Sequence, residues 1–264
     1  MAKKRQSQKK TAPVSRPASL IELLQQMERS HLAGHPDDHG LSHVKKCNTR
    51  FRDDALHPIF WAMPDLDTGL IPDCRETLAE KATQAVKYLK QGVVDEGRSG
   101  QMSIDDAQIA IEAVAWTHRL ADPRCMELPL QLRQDLLDAI VRLMHDSTAL
   151  DAVSHPLQWQ LLAGELPIAL AYFFPDVKEY SGLFQNAKQT IGDGFDELLD
   201  GTGSPHASKL SLLRPLLACW VRCRVLADAL GKKLWGKDKN DQFEWLLRAA
   251  IRLTRCDGSA AFGP

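Results

Sequence analysis

Four histidines near the N-terminus recur at every fourth residue: His31, His35, His39 and His43. On one continuous helix this spacing would stack four imidazoles as metal ligands. Glycines and a proline between them break such a helix, although a loop-built site using Asp37 and Asp38 would suit zinc or a similar ion. A loop rich in His, Asp and Gly is commoner without a metal, so we predict neither a metal nor a cofactor.

Two cysteines, Cys219 and Cys223, stand four residues apart within an apolar segment that reads as one helix. They therefore share a helix face and could ligate a metal. No second close Cys or His pair accompanies them, and buried cysteines on apolar helices are common. We interpret the pair as core packing with reduced thiols.

Glu165 is the strongest single candidate for an acid in a cleft, because it stands between apolar residues of a predicted inner helix. A carboxylate in such surroundings needs a partner or has a raised pKa. The alternative is a chance polar residue lining the interior. His118 and His145 fall near predicted helix ends, where a cation is favoured by the helix dipole.

Hydrophobic spacing indicates that helices position these residues. Ser19 and Glu22 form a capping-box pair that opens a first helix, and an irregular stretch covers 35–72. The later helices are predicted near 73–91, 104–119, 129–147, 156–174, 182–200, 207–230 and 239–255. The helices near 156–174 and 207–230 are apolar on most sides and should be inner ones, with Pro215 kinking the second or marking its late start. One shared core is expected to contain Trp159, Leu166, Leu213 and Trp245.

Acidic residues close predicted helices at Asp95, Asp146, Asp200 and Asp257, at intervals of 51, 54 and 57 residues. A unit of about fifty residues is two helices with two loops, which is typical of stacked helical hairpins. We predict an all-α fold in which antiparallel hairpins form an incomplete α/α toroid, with a helical solenoid as the alternative. Residues 1–17 are expected to be a disordered basic tail and 18–264 one helical domain truncated at its C-terminus.

The segment Asp200-Gly201-Thr202-Gly203-Ser204-Pro205-His206, followed by a Leu-rich helix, resembles the toroid part of heparinase II/III-type polysaccharide lyases. The loop 254–259 around Asp257 is similar to a second such helix end. The resemblance covers about 155–264 and implies binding or cleavage of acidic polysaccharide by β-elimination. The residues it implies, together with Glu165, form a substrate-binding set: Asp200, Ser204, His206, Glu165 and Asp257.

The lyase chemistry needs a group that neutralises the uronate carboxylate, a base and an acid, and the family usually takes the last two from Tyr and His. The tyrosines here are Tyr88, Tyr172 and Tyr180, and none falls in the matched loops. The catalytic residues therefore stay unassigned, and the second hypothesis is a non-catalytic helical-repeat interaction scaffold. Its partner would be a C-terminal continuation or a second copy of the chain.

Composition narrows the function classes further. The 264 residues are 44% hydrophobic and 25% charged, with a formal net charge of −1 that includes a basic N-terminus. That N-terminus has no aromatic residues to stack on bases, so nucleic-acid binding is disfavoured. Gly-rich phosphate loops, Gly-x-Ser-x-Gly elbows and kinase signatures are missing, which disfavours nucleotide chemistry. Without a secretory signal or a spanning apolar run, the sequence favours a cytoplasmic protein with no membrane partner.

Overall fold

The described part of the chain is helical, as the sequence predicts. A computed structural model describes residues 75–92, 107–121, 123–199 and 206–253, and these ranges contain no β-strand. The α-helices are α1 (Arg75–Leu89), α2 (Gln108–Leu120), α3 (Leu130–Asp146), α4 (Pro156–Trp159), α5 (Leu166–Phe173), α6 (Leu183–Leu198), α7 (Leu213–Ala229) and α8 (Lys237–Arg252). Short 3₁₀ turns occupy Pro123–Glu127, Ser147–Ala149, Lys178–Tyr180 and Ala207–Leu212.

The helix predicted near 156–174 lies at the centre of this arrangement. It comprises α4, a π-helical stretch over Gln160–Glu165, and α5, which follow one another without a break. Its side chains are apolar nearly all round, so neighbours must cover every face to remove them from water. The helices α2, α6 and α7 pack against it and do so. The prediction of an inner helix is confirmed for this segment, whereas the second predicted inner helix, near 207–230, is buried on one face only.

The surrounding helices each turn one apolar stripe inward. In α6, Phe184, Ala187, Ile191, Phe195 and Leu198 recur at helical spacing and are all buried. The Phe195 ring lies 5.0 Å from that of Trp220 and 5.1 Å from that of Trp235, centroid to centroid. An aromatic cluster therefore joins α6 to α7 and to the turn before α8.

The helix predicted over 207–230 begins late, which is one of the two outcomes expected from Pro215. Residues 207–212 form a 3₁₀ turn and α7 starts at Leu213, so that Pro215 falls in the first turn. A helix running from 207 would lose the hydrogen bond from position 215 to the carbonyl of Ser211, because proline has no N–H. In the first turn that N–H is not needed.

The expectation of one core holding all four marker residues is wrong for Trp245. Leu166 and Leu213 are buried in the shared core, Trp159 is half-buried, and Trp245 is 47% exposed. In α8 the buried residues are Phe243, Leu246 and Ala250. Trp245 is one residue from Leu246, a rotation of about 100°, and so it points away from the core.

Several predictions concern residues outside the described ranges. These are the basic tail 1–17, the helix opening at Ser19, the segment 35–72 with its histidine series, and the loops 200–205 and 254–259. The closing of the hairpins into a toroid stays a prediction. No described helix has the length and apolar character needed to cross a membrane.

Candidate functional site

A change of helical pitch positions the buried polar residues of the inner helix. Pro167 cannot donate to the carbonyl of Ala163, four residues back, and its ring would press on that carbonyl in a regular α-helix. The chain over Gln160–Glu165 instead takes a wider π-helical turn, in which Leu166 donates to Leu161 five residues back. Stretches of this kind occur often at functional sites.

Glu165 and Arg222 form an ion pair inside the molecule. The guanidinium Nε lies 2.5 Å from Oε1 of Glu165, and Nη2 lies 2.7 Å from Oε2. The exposed fraction is 0% for Glu165 and 1% for Arg222. This bidentate geometry satisfies both carboxylate oxygens, which is the condition for keeping a charge in a low-dielectric interior. Of the outcomes expected for a buried Glu165, the structure has the one with a partner.

Cys219 and Cys223 lie beside this pair, on the same helix as Arg222. Both thiols are buried, and their Sγ atoms lie with a Glu165 oxygen in a group whose members are all within 4.8 Å of one another. Burial raises the pKa of both thiols. The Cys219 thiol donates to the carbonyl oxygen of Gln160 at 3.7 Å. Two thiols and a carboxylate are a donor set for a soft ion, but in this structure Arg222 holds both carboxylate oxygens.

His118, in the last turn of α2, extends the polar region. Its imidazole packs edge-on against Phe173 with ring centroids 4.7 Å apart. Burial, followed by the positive charges of Arg222 and Arg119, lowers the pKa of His118 to about 3. The expectation that a cationic His118 stabilises the helix end is therefore wrong, because the imidazole is neutral at physiological pH.

Gln160 holds the inner helix to two neighbours. Its Nε2 donates to the carbonyl of Thr190 in α6 at 2.9 Å, and its Oε1 accepts from Nε1 of Trp220 in α7 at 2.8 Å. Gly194 leaves room for this amide, since a Cβ at that position would overlap it. Sequence reasoning missed Gln160. The signal was a glycine pair, Gly192 and Gly194, inside an otherwise regular amphipathic helix.

The predicted substrate-binding residues fall in different surroundings. His206 is exposed and precedes the 3₁₀ turn 207–212, where its backbone N–H donates to the carbonyl of Leu198 at 3.2 Å. Its side chain makes no capping hydrogen bond. Glu165, in contrast, is sealed inside the helical packing. Asp200, Ser204 and Asp257 lie outside the described residues.

Taken together, the buried polar groups are arranged to fix helices against one another. The ion pair, the thiols and the Gln160 amide join the inner helix to α6 and α7, and solvent does not reach Glu165. No protein-family model, no curated protein and no solved structure matches this chain.

Proposed function

We propose that this chain is a non-catalytic helical interaction module that binds an acidic, partly apolar segment of another protein. The observation that carries the proposal is the exposure of large apolar side chains on α8: Trp245 is 47% exposed and Ile251 is 72% exposed. Tryptophan is among the residues most enriched at the energetic centres of protein interfaces.

Positive charge lies on the C-terminal side of the exposed tryptophan, whereas the exposed Asp238 and Asp241 lie on its N-terminal side. Arg248 and Arg252 follow Trp245 at i+3 and i+7, so the three side chains share one face of α8, and both arginines are exposed. Arg248 lies 3.5 Å from Glu244 in a pair whose side chains are both more than half exposed. Such a pair contributes little to stability, so Arg248 is available to a partner's carboxylate. Trp245 would then receive an apolar side chain from the same segment.

Selection from a random peptide library against the immobilised chain tests this function. We expect enriched peptides to combine Asp or Glu with Leu, Phe or Trp, and to bind the purified chain in solution. Trp245→Ala and Arg248→Glu should each weaken binding of a selected peptide by about tenfold or more. Val153→Ala is the matched control, because Val153 is also exposed, at 61%, but lies in the turn before α4. Selected peptides that bind Trp245→Ala as tightly as the wild type would overturn the proposal.

Acidic polysaccharide is the second candidate ligand, through binding or β-elimination by a heparinase II/III-like toroid. Its support is the exposure of His206 next to the segment that carries the family resemblance. A protonated imidazole there would neutralise a uronate carboxylate. Release of unsaturated uronate from heparan- or alginate-type substrates, read as ultraviolet absorbance, tests cleavage.

The His206→Ala variant tests binding of the same oligosaccharides. Because the His206 side chain caps no helix, we expect an unchanged melting temperature together with weaker binding. Equal binding by variant and wild type would remove His206 from any site, and no uronate release by the wild type would remove the lyase activity.

A further inference from the structure

Helix α7 has one face buried in the core and an opposite face that is only partly buried. The core side holds Leu216, Cys219, Trp220, Arg222, Cys223, Leu226 and Ala227, which are all buried. The opposite arc is centred on Val221. It contains no buried residue and consists of Arg214, Leu217, Ala218, Val221, Arg224, Val225 and Asp228. We call this arc the α7 stripe. Its middle is half-buried and apolar except for Arg224, and its two ends are charged and exposed.

Two pairs of residues in the α7 stripe are arranged symmetrically about Val221, one apolar and one of opposite charges. Leu217 and Val225 stand four residues on either side of it, and Arg214 and Asp228 stand seven residues on either side. At 1.5 Å per residue the charged ends lie about 10 Å from the centre. Reversing the helix about Val221 therefore places Leu217 on Val225 and Arg214 on Asp228, with Arg224 beside Ala218.

We propose that the α7 stripe is a self-association surface, on which two copies of this chain pair their α7 helices antiparallel across a two-fold axis at Val221. In this register Val221 meets its counterpart on the axis, and Leu217 of each copy packs on Val225 of the other. Arg214 of each copy meets Asp228 of the other, which gives two equivalent ion pairs. Such a contact is isologous, as in most soluble homodimers.

The local structure favours a second copy over an unrelated partner. Arg214 and Asp228 have no ion-pair partner among the described residues, so both are available to another chain. Ala218 is small and leaves room for close approach of two helices near the axis. The Arg224 side chain extends towards α8, where its guanidinium carbon lies 5.7 Å from the centroid of the Phe243 ring. A second copy of the chain supplies the matching residues by symmetry, because the Arg214 and Asp228 positions exchange when α7 is reversed.

This inference goes beyond the proposed function and uses a different helix from Trp245. Dimerisation and peptide binding can therefore succeed or fail separately. Sedimentation equilibrium of the full chain across the micromolar range is the first measurement. We expect a reversible monomer–dimer equilibrium, and a wild type that stays monomeric throughout would overturn the proposal.

Charge reversal tests the register. Arg214→Glu and Asp228→Lys each place like charges together twice, and each should weaken self-association by about tenfold to a hundredfold. An equimolar mixture of the two variants restores both ion pairs, so we expect heterodimers. The double variant Arg214→Glu/Asp228→Lys should associate like the wild type, because reversing both charges preserves antiparallel complementarity. A dimer that ignores the single reversals, or a double variant that stays monomeric, would overturn the antiparallel pairing.

Substitution at the axis tests the centre of the stripe. Val221→Glu brings two carboxylates face to face and should abolish the dimer, whereas Val153→Glu changes an exposed valine elsewhere and should not. Circular dichroism and thermal melting establish that both variants are folded. Val221→Cys should form an intermolecular disulfide at position 221 under mild oxidation, identified by mass spectrometry of the linked peptide. Linkage at Val153→Cys instead, or dimerisation that survives Val221→Glu, would overturn the proposal.

Discussion

At the scale of single residues, the buried ionisable side chains of Glu165, Arg222 and His118 influence one another through hydrogen bonds and charge. Glu165 and Arg222 are both buried and are joined by two short hydrogen bonds, which satisfy the carboxylate but leave Nη1 of Arg222 without a hydrogen bond among the described residues. Such a pair need not stabilise the fold relative to apolar residues, but leaving one member alone is costly. Glu165 is the strongest candidate for a cleft acid in the sequence, and in the structure its role is to pair with Arg222.

Removing one member of the pair should be more damaging than removing both. Arg222→Met leaves an uncompensated buried carboxylate, and we expect the free energy of unfolding to fall by about 3–5 kcal/mol. The double variant Glu165→Leu/Arg222→Met should recover most of that loss, because similar volumes of apolar side chain replace both charges. Urea denaturation measures all three proteins.

Arg248→Met is the matched control, since its pair with Glu244 is exposed. Its loss should be below about 0.5 kcal/mol. Equal losses for Arg222→Met and Arg248→Met would show that the buried pair has no special role.

His118 should make stability depend on pH. Its pKa is about 3 in the folded chain, because of burial and then the charges of Arg222 and Arg119, and about 6.5 in the unfolded chain. Between these values the unfolded state binds the extra proton, so the contribution is complete above pH 6.5 and is lost as the pH falls towards 3. The slope is at most about 1.4 kcal/mol per pH unit.

Comparison with His118→Asn isolates this contribution from that of the carboxylates. We expect the wild type to lose more stability than the variant between pH 6.5 and pH 4, measured by urea denaturation at each pH. Parallel curves for the two proteins would contradict the lowered pKa.

At the scale of the elements, the π-helical stretch and α6 depend on each other. The wide turn presents Gln160 to Thr190 and Trp220, and Gly194 provides the space. Neither element has this arrangement alone, because the hydrogen bonds of the Gln160 side chain reach residues that are 30 and 60 positions away in the sequence.

Two glycine variants in α6 test this dependence. A Cβ at Gly194 overlaps the Gln160 amide, so Gly194→Ala should displace it from both hydrogen bonds and lower stability by about 1–3 kcal/mol. Gly192→Ala meets only the tip of the Lys239 side chain, at 3.1 Å, and gains helix propensity. We therefore expect Gly192→Ala to be near neutral in thermal denaturation. A Gly194→Ala protein as stable as Gly192→Ala would contradict the role of Gln160.

At the scale of the whole molecule, protection from solvent is graded from the inner helix outwards. Every residue of α5 is buried, whereas α8 keeps only Phe243, Leu246 and Ala250 buried along its length. Opening the inner helix requires α2, α6 and α7 to separate from it, but α8 can unfold on one side of the molecule.

Hydrogen exchange should follow this gradient. We expect amides of α5 to exchange at the rate set by global unfolding, and those of α8 to exchange faster through local opening. Mass-spectrometric exchange under native conditions measures both. Equal protection of α5 and α8 would show that the described helices open as one unit.

The candidate site was only partly predictable. The importance of Glu165 followed from its position in an apolar segment, since a carboxylate among Leu and Pro must be paired or neutral. Its partner did not follow, because Arg222 is 57 residues away on another helix. Gln160 was missed because an amide carries no charge, and nothing in its local pattern distinguishes a buried glutamine from an exposed one.

The sequence by itself determined the helices and their ends, because apolar spacing, proline and glycine act within a few residues of one another. The inner helix over 156–173 follows from such local rules, and the start of α7 at Leu213 is one of the two outcomes that they allow for Pro215. Only the tertiary structure decided which apolar residues are covered, as Trp245 shows, and which charges meet. Those outcomes depend on how helices distant in sequence pack, and a packing angle or a π-helical turn shifts a side chain between core, partner and solvent.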